Sequence, residues 1–179
     1  MTKFGTRHGS AMVAGLLLAS CAAVPPHTTQ YPADQPTALP AETIAIAVGP
    51  CFGFCPVYDL RIDPDGSVTF EGQRHTTVLG ERRRAAGPES YKSLAADLAP
   101  YRPETGSTAT IDCQSAISDT ATYTITWTDP RGVKTIAQHR RGCSGGPGQA
   151  LDSLLDGVPG RLGVAEWARQ ITRPGSSRG

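Results

Sequence analysis

The chain has 179 residues, of which 39% are hydrophobic and 18% charged, and its net charge is +1. That length fits one domain rather than two. A charge this near neutrality argues against nucleic acid as a partner, because phosphate binding needs a basic excess.

In chain order, residues 1–20 read as a signal peptide. Lys3, Arg7 and His8 form a positive start, and Ala11 to Ala19 is an apolar run too short to span a bilayer. Leu18-Ala19-Ser20-Cys21 then resembles the bacterial lipobox, with small residues and a cysteine directly at the end of the apolar run. The resemblance implies that Cys21 is diacylated (a palmitate-type anchor), becomes the new N-terminus and ties the protein to a membrane. Ala22 in place of Asp implies the outer membrane of a two-membraned bacterium, with the domain facing the periplasm. The alternative is an ordinary signal cleaved near Ala22 or Ala23. Removing residues 1–20 takes away two basic residues and shifts the net charge from +1 to −1.

Residues 21–41 carry the lipidated cysteine and a proline-rich tether, with Pro25, Pro26, Pro32, Pro36 and Pro40. In extended polyproline geometry it would reach roughly 60 Å from the lipid, at about 3.1 Å per residue. Residues 42–172 read as a single domain, and residues 173–179 as a disordered Pro/Gly/Ser-rich tail.

Within the domain, Ile44, Ile46 and Val48 alternate, as do Tyr58, Leu60 and Ile62, then Val68 and Phe70, the period of half-buried strands. Asp63-Pro64-Asp65-Gly66 predicts a hairpin turn between the last two runs. A further strand is predicted from His75 to Leu79, extending toward Arg84. Tyr123, Ile125 and Trp127 alternate with threonines, and Asp129-Pro130-Arg131-Gly132 turns the chain into a strand near Val133 to His139. A helix follows each hairpin. Tyr91, Leu94, Ala95 and Leu98 follow Pro88 at helical spacing, and Leu151, Leu154, Leu155 and Val158 follow Pro147. Val164, Trp167, Ala168 and Ile171 predict a third helix. These stripes read as core faces rather than cofactor boxes. The expected fold class is α+β: an antiparallel sheet built from two hairpin-helix units, with helices packed on one face.

Besides Cys21, four cysteines remain: Cys51, Cys55, Cys113 and Cys143. An even number in an exported chain suggests two disulfides, and four cysteines allow three connectivities. Cys51–Cys55 with Cys113–Cys143 is favoured, one pair being local and the other closing a hairpin. The long loop of about 30 residues would add about 3–4 kcal/mol by the chain-entropy estimate.

Gly49-Pro50-Cys51-Phe52-Gly53-Phe54-Cys55-Pro56-Val57-Tyr58 is the most distinctive segment. It resembles a family of exported bacterial proteins of unknown function marked by Cys-Phe-Gly-x-Cys-Pro-x-Tyr. Asp65-Gly66-Ser67-Val68-Thr69-Phe70-Glu71-Gly72 is similar to that family's hairpin. The likeness extends over about residues 43–170, and its specific parts are the cysteine loop and the first hairpin. It implies a fold and an envelope location but no activity, so it supplies no catalytic residue.

A Cys-x-x-x-Cys loop can be a structural staple, a redox pair or a soft-metal site. A tight turn at Gly53 would bring the two within bridging distance, with Phe52 and Phe54 covering the sulfurs. A redox pair needs a helix N-terminus or a neighbouring cation, and strands flank this loop. The loop is also similar to the Cys-x-x-x-Cys-Pro of copper-chaperone thioredoxin relatives, but their βαβ unit and distant histidine are missing.

Gly142-Cys143-Ser144-Gly145-Gly146-Pro147 imitates serine-hydrolase signatures without the strand-turn-helix context or triad partners they need. Asp63 and Asp65 lack the remaining ligands of a calcium loop. His27, His75 and His139 have no metal-ligand spacing; His75 and His139 read as surface or edge residues, or as a pair meeting across the sheet. Arg82, Arg83 and Arg84, and later Arg140 and Arg141, read as a solvated face before an anionic-ligand site.

The leading expectation is a non-enzymatic envelope lipoprotein with no cofactor, no metal and no catalytic residue. It would contact the membrane through its anchor and bind or support an envelope protein, a small ligand or the cell-wall layer. The rival is a thiol-redox or copper-handling protein using Cys51 and Cys55.

Overall fold

The computed structural model describes residues 41–171. The lipobox cysteine, the tether and the C-terminal tail lie outside the described residues. Strands β1 (Thr43–Val48), β2 (Val57–Ile62), β3 (Ser67–Arg74) and β4 (Gly80–Ala85) precede helix α1 (Pro88–Leu98). After β5 (Thr108–Thr110) and β6 (Ser115–Ala116) come β7 (Thr122–Thr128), β8 (Lys134–Arg140) and β9 (Cys143–Ser144). Helices α2 (Pro147–Arg161) and α3 (Ala165–Ala168) end the described chain.

The fold is α+β, with seven strands ordered β4-β3-β2-β1-β7-β8-β5 and a separate β6-β9 ribbon. The sheet is mostly antiparallel: β5 joins β8 in parallel, which corrects the wholly antiparallel expectation. Thr108–Thr110 is too short and too polar to announce itself as a strand, and it reaches the sheet by a crossover rather than a hairpin.

Alternation does what the sequence predicted. Ile44, Ile46 and Val48 are buried in turn along β1, and their cross-strand partners Ile62, Leu60 and Tyr58 share their face. On the other side Trp127, Ile125 and Tyr123 stand opposite the same three residues. With Val68 and Phe70 of β3, these side chains join Leu94, Leu98, Leu151, Leu155 and Val158 of the helices in one apolar cluster. Burying each large member contributes about 1.5–3 kcal/mol. Pro88 and Pro147 both sit in the first helical turn, where a missing N–H costs nothing.

Two segments differ from expectation. Residues 75–79 do not form the predicted strand; β4 begins only at Gly80. His75 takes φ 60° and turns the chain out of β3. Thr77 and Val78 then donate to the carbonyls of Arg169 and Trp167. Gly72 permits this path, since a Cβ there would collide with the Val78 carbonyl. The third predicted helix shrinks to the four residues of α3 for the complementary reason. Residues 167–171 spend their backbone groups on the 75–78 segment, and Ile171 is 52% exposed instead of buried.

Candidate functional site

One row of residues crosses the sheet near the Cys51–Cys55 loop. The register sets Gly72 opposite Tyr58, Tyr58 opposite Val48, Val48 opposite Tyr123 and Tyr123 opposite His139. All five are buried, so they share the inner face. Helix α2 lays Asp152 and Asp156 over this row, four residues apart and therefore on one helix face. The Tyr123 hydroxyl donates to Asp156 at 2.8 Å, and the Tyr123 ring stacks on His139 at 6.4 Å. Arg141, just past β8, pairs with Asp156 at 3.1 Å.

Asp152 is fully committed. It accepts His139 Nε2 at 2.8 Å and the backbone N–H groups of Gly142 and Cys143, also at 2.8 Å. His139 is completely buried and its Nδ1 has no hydrogen-bond partner. This corrects the reading of His139 as a surface or edge residue. His75 stands at the end of β3 and touches Phe54 edge-on at 5.4 Å, so the two histidines do not meet.

Asp156, Arg141, Tyr58 and Tyr123 line a cleft of about 430 Å³ together with Cys55 and Pro56. A second depression of about 420 Å³ shares Cys55, Ala121, Arg141 and Asp156 with it and reaches Cys51 and Asp119. Burial pushes the Tyr58 phenol up to about 12, against a weaker opposing pull from Arg141. Tyr123 is raised well above the ordinary tyrosine value, first by burial and then by its bond to Asp156. Both phenols are hydrogen-bonding groups rather than nucleophiles at neutral pH.

Cys51 and Cys55 stand at disulfide distance with Cα atoms 5.7 Å apart, and so do Cys113 and Cys143 at 5.6 Å. Phe52 and Phe54 are 90% and 39% exposed, and Gly53 between them takes φ 136°. Among the described residues, no group of three or more His, Cys, Asp or Glu could hold a metal ion. Ser144 meets the Ser115 hydroxyl rather than a histidine, since His139 Nε2 is spent on Asp152. Arg82, Arg83 and Arg84 lie on the fully exposed β4; Arg84 donates to the Gly163 carbonyl, and none of the three lines the cleft.

The sequence reading found the cysteine loop but missed Tyr58, Tyr123, Arg141 and Asp156 as a constellation. A signal existed: Asp152 and Asp156 flank Leu151 and Leu155 on an amphipathic helix, one position from its core stripe.

The model of the family described as Domain of unknown function (DUF6438) matches residues 42–158. The chain belongs to that family. The DUF6438 match takes in both cysteine pairs and the row from Tyr58 to Asp156, and ends inside α2 before Pro159. No curated protein and no solved structure matches the chain.

Proposed function

We propose that this DUF6438 protein is an outer-membrane lipoprotein, anchored through Cys21 and facing the periplasm, whose domain is a non-enzymatic binding module with the Tyr58–Arg141–Asp156 cleft as its site. The exported family marked by Cys-Phe-Gly-x-Cys-Pro-x-Tyr is, on this reading, DUF6438 itself. The domain is taken as two hairpin-helix units with their helices on one face, so that the cleft opens where α2 crosses the end of the sheet. The two cysteine pairs are structural disulfides.

One observation carries the binding role: Gly157 and Gly160 of α2 line the cleft. Glycine inside a helix costs about 1 kcal/mol relative to alanine, and packing does not demand it here. A Cβ at either position would meet nothing within 4 Å. The helix is weakened at the two places where side chains would narrow the cleft, as expected where room for a ligand outweighs helix stability. Replacing both glycines by alanine is expected to raise the melting temperature while reducing ligand uptake. A fall in stability would mean that packing requires the glycines, and would sink the binding role.

Anchoring is tested separately. The full chain expressed in a two-membraned bacterium with labelled palmitate should carry label and sediment with outer membranes. Cys21→Ala should lose both, and a variant that keeps the label would refute the anchor.

A thiol-redox role has one observation in its favour, the Arg141 cation lining the same cleft as Cys55. Against it, β1 and β2 flank the loop, so no helix N-terminus is present to stabilise a thiolate.

A further inference from the structure

From the unspent hydrogen-bonding groups of the cleft we infer that its ligand presents a carboxylate on a small apolar body, the carboxylate being received by the Tyr58 hydroxyl and the Arg141 guanidinium. This rests on the cleft being the binding site.

Tyr58 is 8% exposed and lines the cleft, yet its hydroxyl makes no hydrogen bond within the protein, whereas Tyr123 beside it is bonded to Asp156. The oxygen is reached from the cleft, where a ligand can accept its proton. Arg141 binds Asp156 through Nη2 alone, so Nε and Nη1 of its five-donor fork stay free. Its side chain is 44% exposed.

Asp156 takes Tyr123 through Oδ1 and Arg141 through Oδ2. The Tyr58 hydroxyl and the unspent part of the Arg141 fork form a set of donors, and a planar anion matches a guanidinium fork beside a hydroxyl. Asp156 holds the guanidinium in place without exhausting it.

The rest of the wall sets the body of the ligand. Val48, Pro56, Ala121, Ala165 and Ala168 offer a small apolar surface. A volume of about 430 Å³ lies at the lower end of small-molecule sites. A peptide carboxy-terminus and a free short-chain acid share this chemistry.

The test titrates the full-length protein with three probes, following the backbone amide resonances of Ala121, Arg141, Gly157 and Gly160 by NMR. N-acetyl-leucine stands for a peptide terminus, hexanoate for a free acid, and N-acetyl-leucinamide is the uncharged control. At least one acid should shift these resonances saturably while the amide does not, and the better acid identifies the source. Tyr58→Phe, which removes only an unpaired hydroxyl, should weaken that acid about tenfold or more. Arg141→Gln should abolish the effect. Equal shifts by acid and amide, unaltered affinity in Tyr58→Phe, or no shift with any probe would each overturn the carboxylate assignment. Failure of the cleft itself is read elsewhere, as a loss of stability when Gly157 and Gly160 become alanine.

Discussion

The two cysteine pairs have nearly the same Cα separation, 5.7 and 5.6 Å, but occupy opposite situations. Cys113–Cys143 spans 30 residues, and Cys143 is 7% exposed. Its N–H is held by Asp152, and Gly148 packs so closely on its sulfur that a Cβ would clash. Cys51–Cys55 spans four residues, in a loop whose Phe52 projects into solvent and whose Cys55 borders both depressions. Identical chemistry therefore does different work. The long pair joins β9 to the segment between β5 and β6, while the short one borders the cleft.

Removing each bridge separates these roles. The Cys113→Ser/Cys143→Ser double variant should be the more damaging, losing about 3–4 kcal/mol of stability by the loop-entropy estimate. The Cys51→Ser/Cys55→Ser variant should lose about 2 kcal/mol, with its spectral changes concentrated on the cleft residues Ala121 and Arg141. Denaturant unfolding of both variants under one condition gives the order, and a larger loss for the short bridge would reverse the assignment of roles.

The smallest effect concerns the row beneath α2 and appears only in alkali. Tyr58 holds its proton up to about 12 in the folded protein, whereas an unfolded tyrosine releases it near 10. The folded state therefore binds more protons between these values. Stability from this group is whole below pH 10 and declines as the pH rises toward 12. Tyr123 is shifted the same way, so the decline continues beyond that point. Unfolding monitored by tyrosinate absorbance should show stability falling across this window. In Tyr58→Phe the fall should be shallower, and an identical slope would show that Tyr58 is not the buried phenol responsible.

Much of the fold was legible in the residues. The alternation in β1, β2 and β7 set which side chains face inward, because a strand has period two and one buried face. The Asp63–Gly66 turn and the proline-led helices were readable from local preferences that need no distant partner. His75 to Leu79 and Val164 to Ile171 were misread for one shared reason. Each segment's backbone pairs with the other across about 90 residues of chain, and no local pattern records such a partner.

The candidate site divides along the same line. The sequence by itself determined the cysteine loop, the alternation that aims Tyr58 and Tyr123 inward and the helix that carries Asp156. Only the tertiary structure decided that these meet, that His139 is buried against Asp152, and that Gly157 and Gly160 face a cleft rather than a packed neighbour. Periodicity fixes the direction of a side chain within its own element. Sheet order and the path of α2 over β1, β2 and β7 fix what lies opposite, and those depend on the whole buried surface at once.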